Sequence, residues 1–210
     1  MALSDEYEFV AKDADSGAWV VLDIREACPL SEKNFEKVWH KLALAVENHH
    51  KLGNTNAPNW VTWKPHEWSK KVVPGRRKFI AWDGDVLAGF LNLQAWKSEV
   101  NAQPTTYIEH LATFPGNIQT AIWSRRLKEV GIALMCYASA VGNLENAPRV
   151  ALHSDEDAIG WYDGLEGKLG NLFEVRRRGV EGPHPSNRDQ MYFETNEQGS
   201  EVLRRYYSHG

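Results

Sequence analysis

The stretch Tyr107-Ile108-Glu109-His110-Leu111 sets a carboxylate beside an imidazole in apolar and aromatic company. Either group can accept a proton. Strand alternation puts Tyr107, Glu109 and Leu111 on one face and Ile108 and His110 on the other. A carboxylate near apolar aromatics has its proton affinity raised toward useful values. Glu109 is therefore the first candidate for a general base, acting directly or through water. The plain alternative is a glutamate paired with a neighbouring arginine. The imidazole of His110 has an ordinary proton affinity suited to base work, but its face makes it the second choice.

Other chemistries have no residues to carry them. There is no HExxH, no His/Cys set with zinc spacing, no GxSxG elbow and no GxxxxGK[ST] loop. His49-His50 reads as a loop or helix-end pair. Cys28 and Cys136 stand alone, without a CxxC, which fits a reducing compartment and a cytoplasmic protein. With 24 basic and 28 acidic residues the net charge is −4, which argues against bulk nucleic-acid binding. No apolar run reaches membrane-spanning length, and the start Met1-Ala2-Leu3-Ser4-Asp5-Glu6 is acidic where a signal peptide is basic.

The elements that must position these groups follow from periodicity. Ala18–Ala27 reads as a strand, and Ser31 caps a helix running to about Asn48, with Phe35, Val38, Trp39, Leu42 and Val46 at helical spacing. A short helix is expected over Pro65–Val72. Lys78–Trp82 and Val86–Trp96 form a hairpin marked by Asp83-Gly84, and Thr105–Thr113 is a third strand, ended by Pro115-Gly116. Then come a helix over Gly131–Val141, a strand over Arg149–His153 and a helix over Asp155–Leu169. Leu172–Val180 and Gln190–Thr195 close the chain as an antiparallel pair. A meander followed by one strand-helix-strand crossover gives a mixed α/β sheet in one domain, residues 1–210.

This order resembles that of the GCN5-related N-acetyltransferases (GNAT), and three local patterns between Tyr107 and Phe173 carry the likeness. Leu111-Ala112-Thr113-Phe114-Pro115 is similar to the family's central strand ending in Leu-x-Val-x-Pro. In that family this strand splays from its neighbour and offers free backbone groups to the acyl-CoA arm. Lys128-Glu129-Val130-Gly131-Ile132-Ala133 resembles the [Arg/Gln]-x-x-Gly-x-[Gly/Ala] phosphate loop. Glycine at a helix start lets the backbone approach a pyrophosphate, which the free N–H groups and the positive helix end then hold. Lys128 departs from the usual residue, and Asn117–Leu127 is a longer spacer than usual. Asp155-x-x-Ala158-Ile159-x-Trp161-Tyr162 resembles Asn-x-x-Ala-Ile-x-Phe-Tyr, the start of the family's last crossover helix. There the tyrosine often protonates the departing CoA thiolate.

The resemblance implies a mixed, mostly antiparallel central sheet flanked by helices. It implies acetyl-CoA as co-substrate with no metal, and an unidentified amine acceptor. Glu109 would be the base and Tyr162 the acid, with the alternative that Tyr162 only packs. Leu111, Ala112, Thr113, Lys128, Val130, Gly131, Ile132, Ala133, Leu134 and Asp155 would hold the cofactor, although Asp155 also fits a helix cap. Trp60, Trp63 and Trp68 would wall the acceptor pocket or pack a loop. Arg176-Arg177-Arg178 would recognise an acidic acceptor or form a solvated edge. A non-catalytic binding module, a macromolecular acceptor (protein or aminoacyl-tRNA) and a homodimer are also compatible with the resemblance.

Overall fold

A computed structural model describes residues 7–52, 75–117 and 126–206. Its organising piece is the hairpin of β4 (Arg77–Asp83) and β5 (Val86–Lys97), closed by Gly84 and Asp85 between the paired Asp83 and Val86. Gly84 takes φ +58°, the left-handed region that a two-residue turn asks of glycine. β6 (Pro104–Thr113) continues the meander against β5, and β3 (Asp23–Glu26) flanks β4.

The chain then crosses over through α2 (Val130–Leu144) to β8 (Arg149–Ser154), parallel to β6. After α3 (Ile159–Leu169), β9 (Phe173–Arg177) and β10 (Met191–Thr195) finish a seven-stranded sheet ordered β3-β4-β5-β6-β8-β10-β9. Among the described residues β6 with β8 is its one parallel pair. A second, three-stranded sheet joins β2 (Trp19–Val21), β1 (Val10–Asp13) and β7 (Leu127–Lys128). The strand expected over Ala18–Ala27 is thus divided at Leu22, whose N–H bonds the Phe9 carbonyl at 2.7 Å.

Helices cover both faces of the large sheet. α2 is apolar nearly all round and buried from Val130 to Gly142, as a helix enclosed by other elements must be. It packs on Phe79, Leu91, Leu93, Ile108 and Leu152. On the other face, α1 (Pro29–Leu52) sets Trp39, Ala43 and Val46 against Ile80, Phe90, Ala112 and Phe114. The seam is Trp39–Ala43–Val46; Val38, expected inside, is exposed. The side chain of Phe35 and the helix expected over Pro65–Val72 lie outside the described residues.

One buried charge cluster lies away from the site and is fully satisfied. Glu194 on β10, with no exposed surface, accepts from Arg149 Nε at 2.8 Å, Ser98 Oγ at 2.5 Å, Tyr192 Oη at 2.8 Å and the Glu99 N–H at 3.0 Å. A buried carboxylate persists only when so paired. The network ties β10 to β8 and to the β5–β6 turn.

Three elements were not expected: β1, β7 and α4 (Glu197–Arg205). α4 is mostly polar and buries only Gly199, Ser200 and Leu203. Asn196 caps it by accepting from the Gly199 N–H. It meets the core through Leu203, Val202 and Tyr206, with Gly199 and Ser200 buried beside them, an apolar stripe too short to stand out in the sequence.

Candidate functional site

The site begins where β6 and β8 part. Their parallel ladder runs only from Thr105 with Arg149 to Ile108 with Leu152. β6 continues to Thr113 while still paired to β5. Among the described residues no strand covers the other edge of Glu109, His110, Leu111, Ala112 and Thr113. Backbone groups on such an edge need a partner, and an amide-bearing chain can supply one as an added strand would.

The strand is not regular at this point. Leu91 pairs with Leu111 and Asn92 with His110, but Leu93 pairs with Ile108, so Glu109 is the extra residue of a β-bulge. A bulge re-aims side chains. Leu111 therefore packs with Ile108 in the α2-facing core. Glu109 and His110 both meet Asn92, at 2.8 Å and 3.4 Å. The strict alternation expected from sequence fails here: the two candidate bases share one site.

Among the described residues Glu109 has polar partners. Its side chain is 1% exposed and forms an ion pair with Arg76, itself 8% exposed. His184 Nε2 stands 2.7 Å from the same oxygen, Oε1, while Asn92 Nδ2 donates to Oε2. The arginine pairing weighed from sequence is present, with two further partners. Burial, then the charges of His184 and Arg76, push the His110 imidazole down to about 3, so it stays neutral at ordinary pH.

Sequence reasoning missed Arg76, Asn92 and His184. Asn92 had a readable signal, a lone amide in the apolar run Leu87–Leu93. His184 sits between Pro183 and Pro185, a fixed loop position, but nothing local ties it to Glu109.

The phosphate-loop residues gather at the start of α2. Glu129 precedes the helix with φ 67°, and its carbonyl accepts from the Ala133 N–H at 3.0 Å. The amides without a helical partner are therefore those up to Ile132. Ala133 and Leu134 lie inside the helix, and Leu134 has no exposed surface. Glu129 Oε1 receives Lys168 Nζ at 2.5 Å, with Lys12 Nζ at 3.6 Å. The Lys128 ammonium bonds the Ala14 carbonyl at 3.0 Å. The long spacer returns as β7, paired to β1. Asn117 holds the spacer's ends: its Nδ2 donates to the Ala88 carbonyl at 3.2 Å, and its Oδ1 accepts from the Leu127 N–H at 3.1 Å.

Tyr162 on α3 is buried, with its ring 5.1 Å from Phe193 and 4.8 Å from Trp161. Burial, then the nearby Asp155 carboxylate, push its phenol well above the ordinary value. It therefore carries its proton throughout the neutral range. Asp155 holds the N-cap position of a short 3-10 turn but makes no side-chain cap bond; it accepts from Gln190 Nε2 at 2.5 Å.

The three consecutive arginines do not form a free basic patch. Arg176 pairs with Asp163 at 2.7 Å, Arg177 with Glu99 at 3.4 Å and Arg178 with Glu156 at 2.5 Å. Trp60, Trp63 and Trp68 lie outside the described residues. Cys28 is exposed and Cys136 buried, and no disulfide joins them. Among the described residues no helix is long and apolar enough to cross a membrane, and no cluster of three His, Cys, Asp or Glu could hold a metal ion. A cavity of about 660 Å³ beside Phe9, Phe79, Arg77 and Tyr137 shares no residue with this cleft.

No protein-family model matches the chain, and no curated protein matches it in sequence. Solved structures do. The PaiA N-acetyltransferase of Thermoplasma acidophilum in complex with coenzyme A superposes with a TM-score of 0.52 at 12% identity, over 83% of this chain and 98% of that one. YncA of Salmonella typhimurium with its cofactor acetyl-CoA gives 0.50 at 12% identity, over 84% and 94%. The chain has the GNAT fold, a mixed and mostly antiparallel sheet flanked by helices.

Proposed function

We propose that this chain, as a single domain, is an acyl-CoA-dependent N-acyltransferase that moves an acetyl group from acetyl-CoA to an amine by direct transfer. The observation that carries this reading is the parting of β6 from β8 beside the first amides of α2, which have no partner within the helix. An extended edge at Leu111–Thr113 suits a pantetheine arm, and the amides of Val130, Gly131 and Ile132 suit its pyrophosphate. Lys12 and Lys168 lie close enough to offset the Glu129 carboxylate there.

In this reading an N–H near Thr113 polarises the thioester carbonyl. Glu109 supplies the carboxylate of the base, and Tyr162 protonates the leaving thiolate. Burial keeps Tyr162 neutral, so its proton is present when sulfur departs. The amine acceptor approaches from the Glu109 side of the sheet.

Calorimetric titration with acetyl-CoA tests the reading, with CoA and ATP as controls. Micromolar acetyl-CoA binding is the expected outcome. A folded sample that binds neither CoA form removes the transferase and leaves a non-catalytic module of the same fold.

A further inference from the structure

We infer that His184, rather than Glu109 itself, receives the proton of the acceptor amine, and that buried Glu109 acts through it. This deepens the acetyltransferase reading and rests on it.

The argument starts from what Glu109 has left to offer. Oε1 is shared by Arg76 and His184, Oε2 is taken by Asn92, and the side chain is 1% exposed. A carboxylate so enclosed cannot meet an incoming amine unless a partner leaves. The Asn92 side chain is as deeply buried as Glu109, and the Arg76 side chain is only 8% exposed. His184 is half exposed, so among these three partners it alone joins the carboxylate to the solvent side. His110 shares the bulge but is buried and held neutral, with no such outlet.

His184 is also held in place. Its N–H donates to Asn187 Oδ1 at 2.8 Å, and its carbonyl accepts from the Asn187 N–H at 3.0 Å. Asn187 Nδ2 in turn reaches Gln190 Oε1 at 2.6 Å. Gly182 leaves no room on Asn187, since a Cβ there would stand 2.4 Å from Oδ1. The Val180 carbonyl accepts from His153 Nε2 at 3.1 Å, fastening the same loop to β8. A catalytic group needs this kind of fixed support.

Oε1 of Glu109 accepts from Arg76, and His184 Nε2 donates to the same oxygen across the 2.7 Å contact. That fixes Nδ1 as the basic nitrogen, as a carboxylate does for imidazole in acyl-transfer triads. The step then balances. His184 Nδ1 takes a proton from the amine nitrogen, whose lone pair forms the bond to the carbonyl carbon. The C–S bond breaks, and sulfur keeps the pair and takes the Tyr162 proton. Solvent returns the His184 proton to Tyr162. His184 is the catalytic residue and Glu109 a positioning residue.

The test uses the full chain with His184→Gln, His184→Ala and Glu109→Gln. Acetyl-CoA binding is measured by calorimetry. Acetyl-CoA consumption is measured with 2-phenylethylamine and with water as acceptors, less the protein-free rate. His184→Gln should bind acetyl-CoA like the wild type and lose about 100-fold in turnover. Free imidazole should restore turnover in His184→Ala but not in Glu109→Gln, whose own imidazole is present but misplaced. A merely structural role for His184 predicts no such rescue. Wild-type turnover retained in His184→Gln overturns the inference, as does rescue of both variants alike. Wild type that binds acetyl-CoA but turns over neither acceptor overturns it too, because water reaches any half-exposed imidazole. Absence of acetyl-CoA binding sinks the acetyltransferase reading first.

Discussion

Trp161 covers Gly131: a Cβ on that glycine would stand 2.9 Å from Trp161 Cζ2. The crossover helix α3 thus presses its exposed indole onto the first turn of α2, at the amides expected to hold a pyrophosphate. Glycine lets the indole lie this close; a larger residue would have to displace it.

Gly131→Glu should weaken acetyl-CoA binding by about tenfold or more, through bulk and through negative charge at a helix N-terminus. Trp161→Ala in the same chain should relieve the bulk and leave the charge. Titration of both proteins separates the two effects. Full affinity in Gly131→Glu places the phosphate loop elsewhere.

Tyr162→Phe should lower acetyl-transfer turnover by about 100-fold while leaving acetyl-CoA affinity nearly unchanged. The raised phenol also predicts no alkaline fall in turnover from Tyr162 up to the ordinary tyrosine value of about 10. Steady-state rates across pH, with affinity from calorimetry, check both points. Turnover equal to wild type removes Tyr162 from the role and leaves its ring as packing.

His110 predicts an acid limb in stability. Its folded value of about 3 lies below the unfolded value of about 6.5. Between these the unfolded chain binds the extra proton, so stability rises with pH and is lost as pH falls through that window. His110→Gln should lose less stability than wild type between about pH 7 and pH 4.5. Urea midpoints at the two values measure the difference; equal losses in both proteins would show that His110 is not buried neutral.

The sheet was legible because its signals are local. Gly84 with its flanking aspartates marks the β4–β5 turn, and the apolar run of α2 allows only an enclosed helix. The face of Glu109 was not legible, because a bulge is set by the register with β5 and alternation assumes it absent. His184 lies 75 residues from Glu109 and meets it only through the β9–β10 loop. α4 escaped because Leu203 is its one fully buried large side chain, with Gly199 and Ser200 beside it in a nine-residue, mostly polar helix. Arg76 carried no signal beyond its charge.

Asn117 lets one amide side chain hold both the exit from the meander and the entry to α2. A segment whose two ends share a single anchor can change in length or sequence without shifting either end. The start of α2 and the spacer sequence can therefore diverge at different rates.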